Sequence, residues 1–140
     1  MKHTIFAANS LVLYLAIVVS AFPQETQDIP VKILSTYKKG NQTWTNLLIP
    51  KKISQEKLVK MAKELHRAAP STYFRFFDDD KEFPQFKNWD MNYPNPVYPY
   101  PQKWVKEHHI ANIQKMAYDA NGPKWVFIKG YTTEKIADLE

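Results

Sequence analysis

The sequence of 140 residues contains no cysteine and only three glycines, Gly40, Gly122 and Gly130. Without cysteine the chain has no disulfide framework, no thiol nucleophile and no cysteine-based zinc site. The glycines are too few and too far apart to form a glycine-rich loop that binds phosphate, and no G-x-S-x-G pattern of a serine hydrolase is present. These absences favour a non-catalytic protein over an enzyme.

The residues that are present indicate one folded domain, which we place at 31–140. Hydrophobic residues make up 44% of the chain and aromatic residues 14%, which is enough apolar surface to drive collapse. A chain of this length supports one core and leaves little room for a second. The formal net charge is +5. Basic residues concentrate over 51–67 and acidic residues over 78–90, so the charge could steer an anionic partner.

The first residues have the pattern of a secretory signal peptide. Residues 1–3 form a short basic start, and the strongest apolar run that follows, 11–19, is nine residues long. That length suits a signal-peptide core and falls short of the about 20 residues of a membrane-spanning helix. Small residues end the run and predict cleavage after Ala21. We therefore expect a signal peptide over 1–21, a mobile mature N-terminus over 22–30, and a secreted or periplasmic protein.

The first half of the domain has the patterns of three strands and one helix. Partial alternation over 31–37 and β-rich composition over 43–49, around a Lys39-Gly40-Asn41 turn, predict a β-hairpin. Four aromatic residues lie within 71–77, around Arg75, which predicts a buried strand. Between these strands, apolar residues recur at helical spacing over 55–68. We expect an amphipathic helix there that packs against the sheet.

The second half begins with a proline- and tyrosine-rich stretch, 78–102, which predicts a long loop without regular structure. Pro101 is well placed to begin a short second helix. Residues 111–118 fit either a continuing helix or a hairpin with 124–129, and the Asn121-Gly122 turn favours the hairpin. The whole predicts an α+β fold with a mainly antiparallel sheet of about four or five strands, one packed helix and a second short helix after the loop.

The proline- and tyrosine-rich tract is the first candidate for a functional site. Prolines favour extended backbone and tyrosines supply rigid contact area, so the tract predicts a binding surface. Its contact residues would be Tyr98, Tyr100 and Trp104, and its partner a protein or a glycan in the cell envelope or outside the cell. In the structural alternative, the same rings fold back and cover the sheet face that the first helix leaves bare.

An acidic cluster is the second candidate. Asp78 and Asp80 would supply oxygen ligands to a divalent cation, with His108 as a further ligand or as a base. The following residues do not continue the pattern of a calcium-binding loop, and a solvated turn that ends the strand explains the same sequence. We predict no cofactor, and a metal-assisted hydrolase is the alternative function.

The leading prediction is thus an exported, non-catalytic domain that binds a protein, a glycan or another ligand through its aromatic loop. Export makes nucleic acid an unexpected partner. A third interpretation is an anionic-surface binder that uses the basic side chains around the first helix: Lys51, Lys52, Lys57, Lys60, Lys63 and Arg67. Membrane contact is expected only through that basic face or through an uncleaved signal.

Overall fold

A computed structural model describes residues 29–140. The elements in chain order are β1 (Lys32–Lys39), β2 (Gln42–Leu48), α1 (Gln55–Ala68), β3 (Thr72–Phe77), α2 (Phe83–Asn92), α3 (Gln102–His108), β4 (His109–Met116), β5 (Lys124–Lys129) and β6 (Lys135–Asp138). The predicted signal peptide over 1–21 lies outside the described residues, as does most of the predicted mature N-terminus. None of the helices within 29–140 combines the length and the apolar composition of a membrane span.

The six strands form one mixed sheet in the order β1-β2-β3-β4-β5-β6. Strands β2 and β3 are parallel because α1 connects them as a crossover, and every other neighbouring pair is antiparallel. The α+β prediction is confirmed. The predicted count of about four or five strands is too low, because both β4 and the short C-terminal β6 join the sheet.

Helix α1 covers one face of the sheet and has the predicted bounds. The hydroxyl of Ser54 accepts a hydrogen bond from the backbone N–H of Lys57 at 3.3 Å, which caps the first turn. The helix ends at Ala68, and Pro70 prevents its continuation. Its predicted apolar stripe is buried in the main core cluster, and this stripe consists of Leu58, Met61, Ala62 and Leu65.

Helices α2 and α3 cover the other face. Phe76 of β3 packs in the main core cluster, whereas Phe77 points the opposite way. There it forms the second core cluster, whose buried members are Phe77, Phe83, Phe86, Trp104 and Val105. The prediction that 78–102 lacks regular structure is wrong over α2. Pro84 lies in the first turn of α2, where the missing N–H costs nothing because first-turn donors have no partner within the helix.

Residues 111–118, whose sequence fits either a continuing helix or a hairpin, belong to a hairpin. Helix α3 ends at His108, and β4 pairs antiparallel with β5, with Ile113 opposite Phe127. Strand β6 pairs with β5 and forms one edge of the sheet, while β1 forms the other. This order places the β5–β6 turn beside the start of β4, where the backbone N–H of Gly130 donates to the carbonyl oxygen of Ile110 at 2.7 Å.

Gly130 is the glycine whose replacement should cost most. It has a φ of +35°, and a Cβ at this position would collide with the backbone carbonyl oxygen of His109. We expect Gly130→Ala to lower the free energy of unfolding by about 2–3 kcal/mol in urea denaturation. Gly122→Ala is the matched control, because Gly122 has a φ of +88° and no atom within 4 Å of its added Cβ. Gly122→Ala should lower the free energy of unfolding by about 1 kcal/mol. Equal losses in the two variants would contradict the close approach of Gly130 to the His109 carbonyl oxygen.

Candidate functional site

Most of the exposed large hydrophobic residues of the described chain lie between the end of α2 and the start of α3. We name residues 91–100, which include the last two residues of α2, the aromatic loop. Six large hydrophobic residues are exposed within 29–140, and four of them lie in this loop: Met91, Tyr93, Val97 and Tyr98. The most exposed are Val97, at 75%, and Tyr93, at 62%, and Tyr98 follows at 55%. Because concentrated apolar surface on a folded domain marks binding sites, the aromatic loop is the first candidate.

Both ends of the aromatic loop are held against α2. The Trp89 ring lies 5.4 Å from the ring of Tyr93 and 4.5 Å from that of Tyr100, measured between centroids. The side-chain amide of Gln85 donates to the carbonyl oxygen of Pro99 at 3.1 Å. The exposed side chains therefore lie on a loop whose two ends are anchored, which reduces the ordering cost of binding.

The three predicted contact residues occupy different environments. Tyr98 is exposed, Tyr100 is half-buried and Trp104 is only 4% exposed. The Trp104 ring stacks on Phe77 with centroids 5.3 Å apart, so it offers almost no surface to a partner. Trp104, and in part Tyr100, therefore match the structural alternative, in which the rings fold back and cover the sheet. Tyr98 remains available for contact.

Tyr100 forms a link between the aromatic loop and the β5–β6 turn. Its ring centroid lies 6.3 Å from that of Tyr131, which is exposed. Burial is the main cause that raises the pKa of Tyr100 above its ordinary value, and the nearby Tyr131 raises it further. The Tyr100 hydroxyl therefore stays protonated at neutral pH and remains a hydrogen-bond donor.

The structure brings together two of the three candidate metal ligands. Asp78 Oδ1 lies 2.8 Å from Nδ1 of His108, and the backbone N–H of Asp78 donates to the carbonyl oxygen of His108 at 3.1 Å. Asp80 instead lies 3.5 Å from the ammonium group of Lys32. Within the described range, no three histidine, aspartate or glutamate side chains converge to hold a metal ion. The metal-assisted hydrolase remains a prediction.

Asp79, between these two aspartates, fixes the end of β3 to α3. Its Oδ1 accepts hydrogen bonds from the indole N–H of Trp104 and from the backbone N–H of Lys81, both at 2.9 Å. The Trp104 hydrogen bond is the main cause that lowers the pKa of Asp79, and the Lys81 bond adds to it. Asp79 thus holds the second core cluster in place under the aromatic loop.

A buried ionic network under α2 was missed by sequence reasoning. Asp90 accepts hydrogen bonds from Tyr37 at 2.7 Å, Lys39 at 2.8 Å and Arg75 at 3.0 Å. The Arg75 guanidinium also lies 3.7 Å from the centroid of the Trp44 ring. We name this the Arg75–Asp90 network. Its sequence signal was Arg75, which lies among four aromatic residues of β3, since a buried charge needs a partner.

A cleft of about 710 Å³ lies at the C-terminal end of β2, outside the Arg75–Asp90 network. It is enclosed by residues 49–58, by 106–110 and by the β5–β6 turn. Its volume falls within the range of small-molecule sites. Sequence reasoning missed it because three distant segments contribute to it. Tyr131 lines it and also contacts Tyr100, so the cleft and the aromatic loop are neighbours.

Comparisons with protein-family models, with curated proteins and with solved structures find no match to this chain. Function is therefore inferred from the described surfaces themselves. The Asp78–His108 pair is largely covered, with side chains 15% and 24% exposed that bond to each other. The aromatic loop and the cleft are two surfaces of the described chain that are open to a ligand.

Proposed function

We propose that this chain is an exported, non-catalytic domain that binds another protein by inserting the aromatic loop into an apolar groove of that partner. The observation that carries the proposal is the clustering of four exposed large hydrophobic side chains within eight residues, 91–98. Tyrosine and methionine are enriched in the cores of protein interfaces. Export rests on the signal-peptide pattern of residues 1–21, and the proposed location is secreted or periplasmic.

The shape and chemistry of the aromatic loop favour a protein partner over a glycan. Every residue of the loop except Pro96 and Tyr100 is exposed, so the loop is convex, whereas a small ligand needs a concave site. Val97 and Met91 are aliphatic, and the hydroxyl groups of a sugar would leave their apolar surface without a matching contact. An apolar groove on a protein supplies that contact.

The backbone of the loop supports the same partner class. Pro96-Val97-Tyr98-Pro99 has the spacing of extended proline-rich segments that dock into aromatic-lined grooves. Proline restricts the backbone before binding, so less entropy is lost when the complex forms. Val97 and Tyr98 would be the two side chains that enter the groove, with Tyr93 at its border and Tyr100 and Trp104 holding the loop in position.

The test is the double variant Val97→Ala/Tyr98→Ala. We expect it to weaken partner binding by about tenfold to a hundredfold, because buried aromatic side chains dominate interface energies. The free energy of unfolding should change by no more than about 0.5 kcal/mol, since both side chains are exposed. Binding partners are isolated from the envelope and secreted fractions with the wild-type protein, and the affinity of each purified candidate is then measured by titration calorimetry.

Tyr118→Ala is the matched control, because Tyr118 is also exposed but lies in the β4–β5 connection. It should bind as the wild type does. Equal affinity of the double variant and the wild type for every candidate would contradict the proposal. So would unfolding of the double variant, because the loop would then be a cover for the core.

A further inference from the structure

We propose that the cleft binds a small amphipathic carboxylate, a ligand with an apolar body and one anionic head. This site is separate from the aromatic loop and does not depend on the proposed protein partner. Its apolar base, its excess of lining lysines over lining carboxylates and its size each restrict the class of ligand.

The base of the cleft continues the main core cluster. Ile49 and Leu58 are buried members of that cluster, at 2% and 5% exposure, and they also line the cleft. Partly buried Ile53, Ile110 and Ile136 complete the apolar lining. An apolar ligand that packs against this surface leaves water, and each Å² of apolar area buried in this way is favourable by about 25 cal/mol. The base therefore accepts an alkyl or aryl body.

The rim of the cleft carries an excess of positive charge. Its charged lining residues are Lys51, Lys106, Lys129, Lys135, Glu107 and Glu134, four cations against two anions. Two of the lysines are already paired, Lys129 with Glu134 at 3.4 Å and Lys135 with Asp138 at 2.9 Å.

The other two lysines are held less tightly, because Lys51 makes only a long ion pair with Asp79 and Lys106 makes none within the described chain. Lys106 has no ion pair with any residue of the described chain, and the ammonium group of Lys51 lies 3.9 Å from the nearest carboxylate oxygen, on Asp79. Burial lowers the pKa of His109, which also lines the cleft, to about 4. Its ring is therefore neutral near pH 7, and the lysines are the side chains that supply positive charge here.

These features together select the ligand class. A small inorganic anion would pair with Lys51 and Lys106 but leave the apolar base uncovered. A neutral apolar molecule would cover the base but leave Lys106 without an anionic partner. A carboxylate with an apolar body satisfies both, and the cleft volume of about 710 Å³ is within the range of sites for small ligands.

The test is calorimetric titration of the full-length protein with decanoate below its micellar concentration. We expect saturable binding with one decanoate for each chain. Decanol, which has the same apolar body without the charge, should bind about tenfold more weakly, which corresponds to one lost charge-assisted hydrogen bond. Acetate, which has the charge without the body, should show no binding at the same concentrations.

Paired variants locate the site. Lys51→Gln/Lys106→Gln should weaken decanoate binding about tenfold and leave decanol binding unchanged. Lys103→Gln/Lys124→Gln removes the same charge from exposed positions outside the cleft and should change neither. Absent or multiple-site binding of decanoate, equal affinity for decanol, or equal losses in the two lysine pairs would each overturn the proposal. Decanoate affinity should be unaffected by changes at Val97 and Tyr98, so this proposal and the proposed protein interaction can fail separately.

Discussion

Asp90→Ala is expected to lower the free energy of unfolding by about 3–5 kcal/mol, because it leaves the Arg75 guanidinium buried without its carboxylate partner. The Asp90 side chain is 4% exposed and that of Arg75 is 11% exposed, so neither charge is well solvated in the folded chain. Tyr37 and Lys39 also lose a hydrogen-bond acceptor. Urea denaturation at pH 7 measures the loss.

A double variant separates the cost of the orphaned charge from the cost of lost packing. Arg75→Met/Asp90→Ala removes both charges and retains a long apolar side chain against Trp44. It should be more stable than Asp90→Ala alone, because no buried charge is left without a partner. A loss of less than about 1 kcal/mol in Asp90→Ala would contradict a buried ionic network, as would a double variant that is no more stable than Asp90→Ala.

The pH dependence of stability gives a second readout of the same network. Burial alone raises the pKa of Asp90, but Arg75, Lys39 and Tyr37 together outweigh it, so the pKa is lowered overall. A carboxyl group whose pKa is lower in the folded than in the unfolded state contributes stability above its unfolded pKa of about 4. That contribution should be lost as the pH falls through the folded pKa, and the acid loss of stability should be shallower in Asp90→Asn.

The elements that the sequence patterns predicted correctly are those whose signals are local. Helix α1 has a capping residue, Ser54, an apolar stripe at helical spacing and a terminating Pro70, and all of these lie within 17 residues of one another. The hairpin of β4 and β5 likewise follows from the Asn121-Gly122 turn.

The sequence patterns did not predict helix α2, because one of its buried positions is a carboxylate whose partner is distant in sequence. Its buried positions are Phe83, Phe86 and Asp90, which follow helical spacing. The third is a carboxylate, and it interrupts the apolar pattern that sequence reasoning looks for. Asp90 is stable in this buried position because of its contact with Arg75 of β3 and with Tyr37 and Lys39 of β1. That contact belongs to the tertiary fold and has no local pattern.

Local sequence patterns are also insufficient to predict the roles of residues at the candidate site. The sequence identified the proline- and tyrosine-rich stretch as distinctive, but Tyr98 and Tyr100 have similar local surroundings, each next to at least one proline. Tyr100 is half-buried because the rings of Trp89 and Tyr131 lie beside it, and one of these belongs to a different part of the chain. Which tyrosines support the loop and which are left for a partner is therefore decided by packing.

Phe77→Ala should produce the other large effect, a loss of about 3–5 kcal/mol in the free energy of unfolding. Phe77 is fully buried, and its ring contacts those of Phe83, Phe86 and Trp104 with centroids 5.3–5.6 Å apart. Its removal leaves a cavity where α2, α3 and the sheet meet. Phe77→Leu keeps most of the side-chain volume and should cost less than about 1.5 kcal/mol in the same urea titration.

The position of this cavity predicts which part of the chain loosens first. Phe74→Ala is the matched control, because Phe74 is equally buried but packs in the main core cluster on the α1 face. Amide hydrogen exchange should accelerate in α2 and α3 more than in α1 for Phe77→Ala, and the reverse is expected for Phe74→Ala. Uniform acceleration in both variants would contradict two separate clusters.

The same pair of variants should differ in partner binding. Because α2 and Tyr100 hold the ends of the aromatic loop, Phe77→Ala should weaken partner binding although Phe77 itself does not contact the partner. A Phe74→Ala protein that remains folded should retain partner binding.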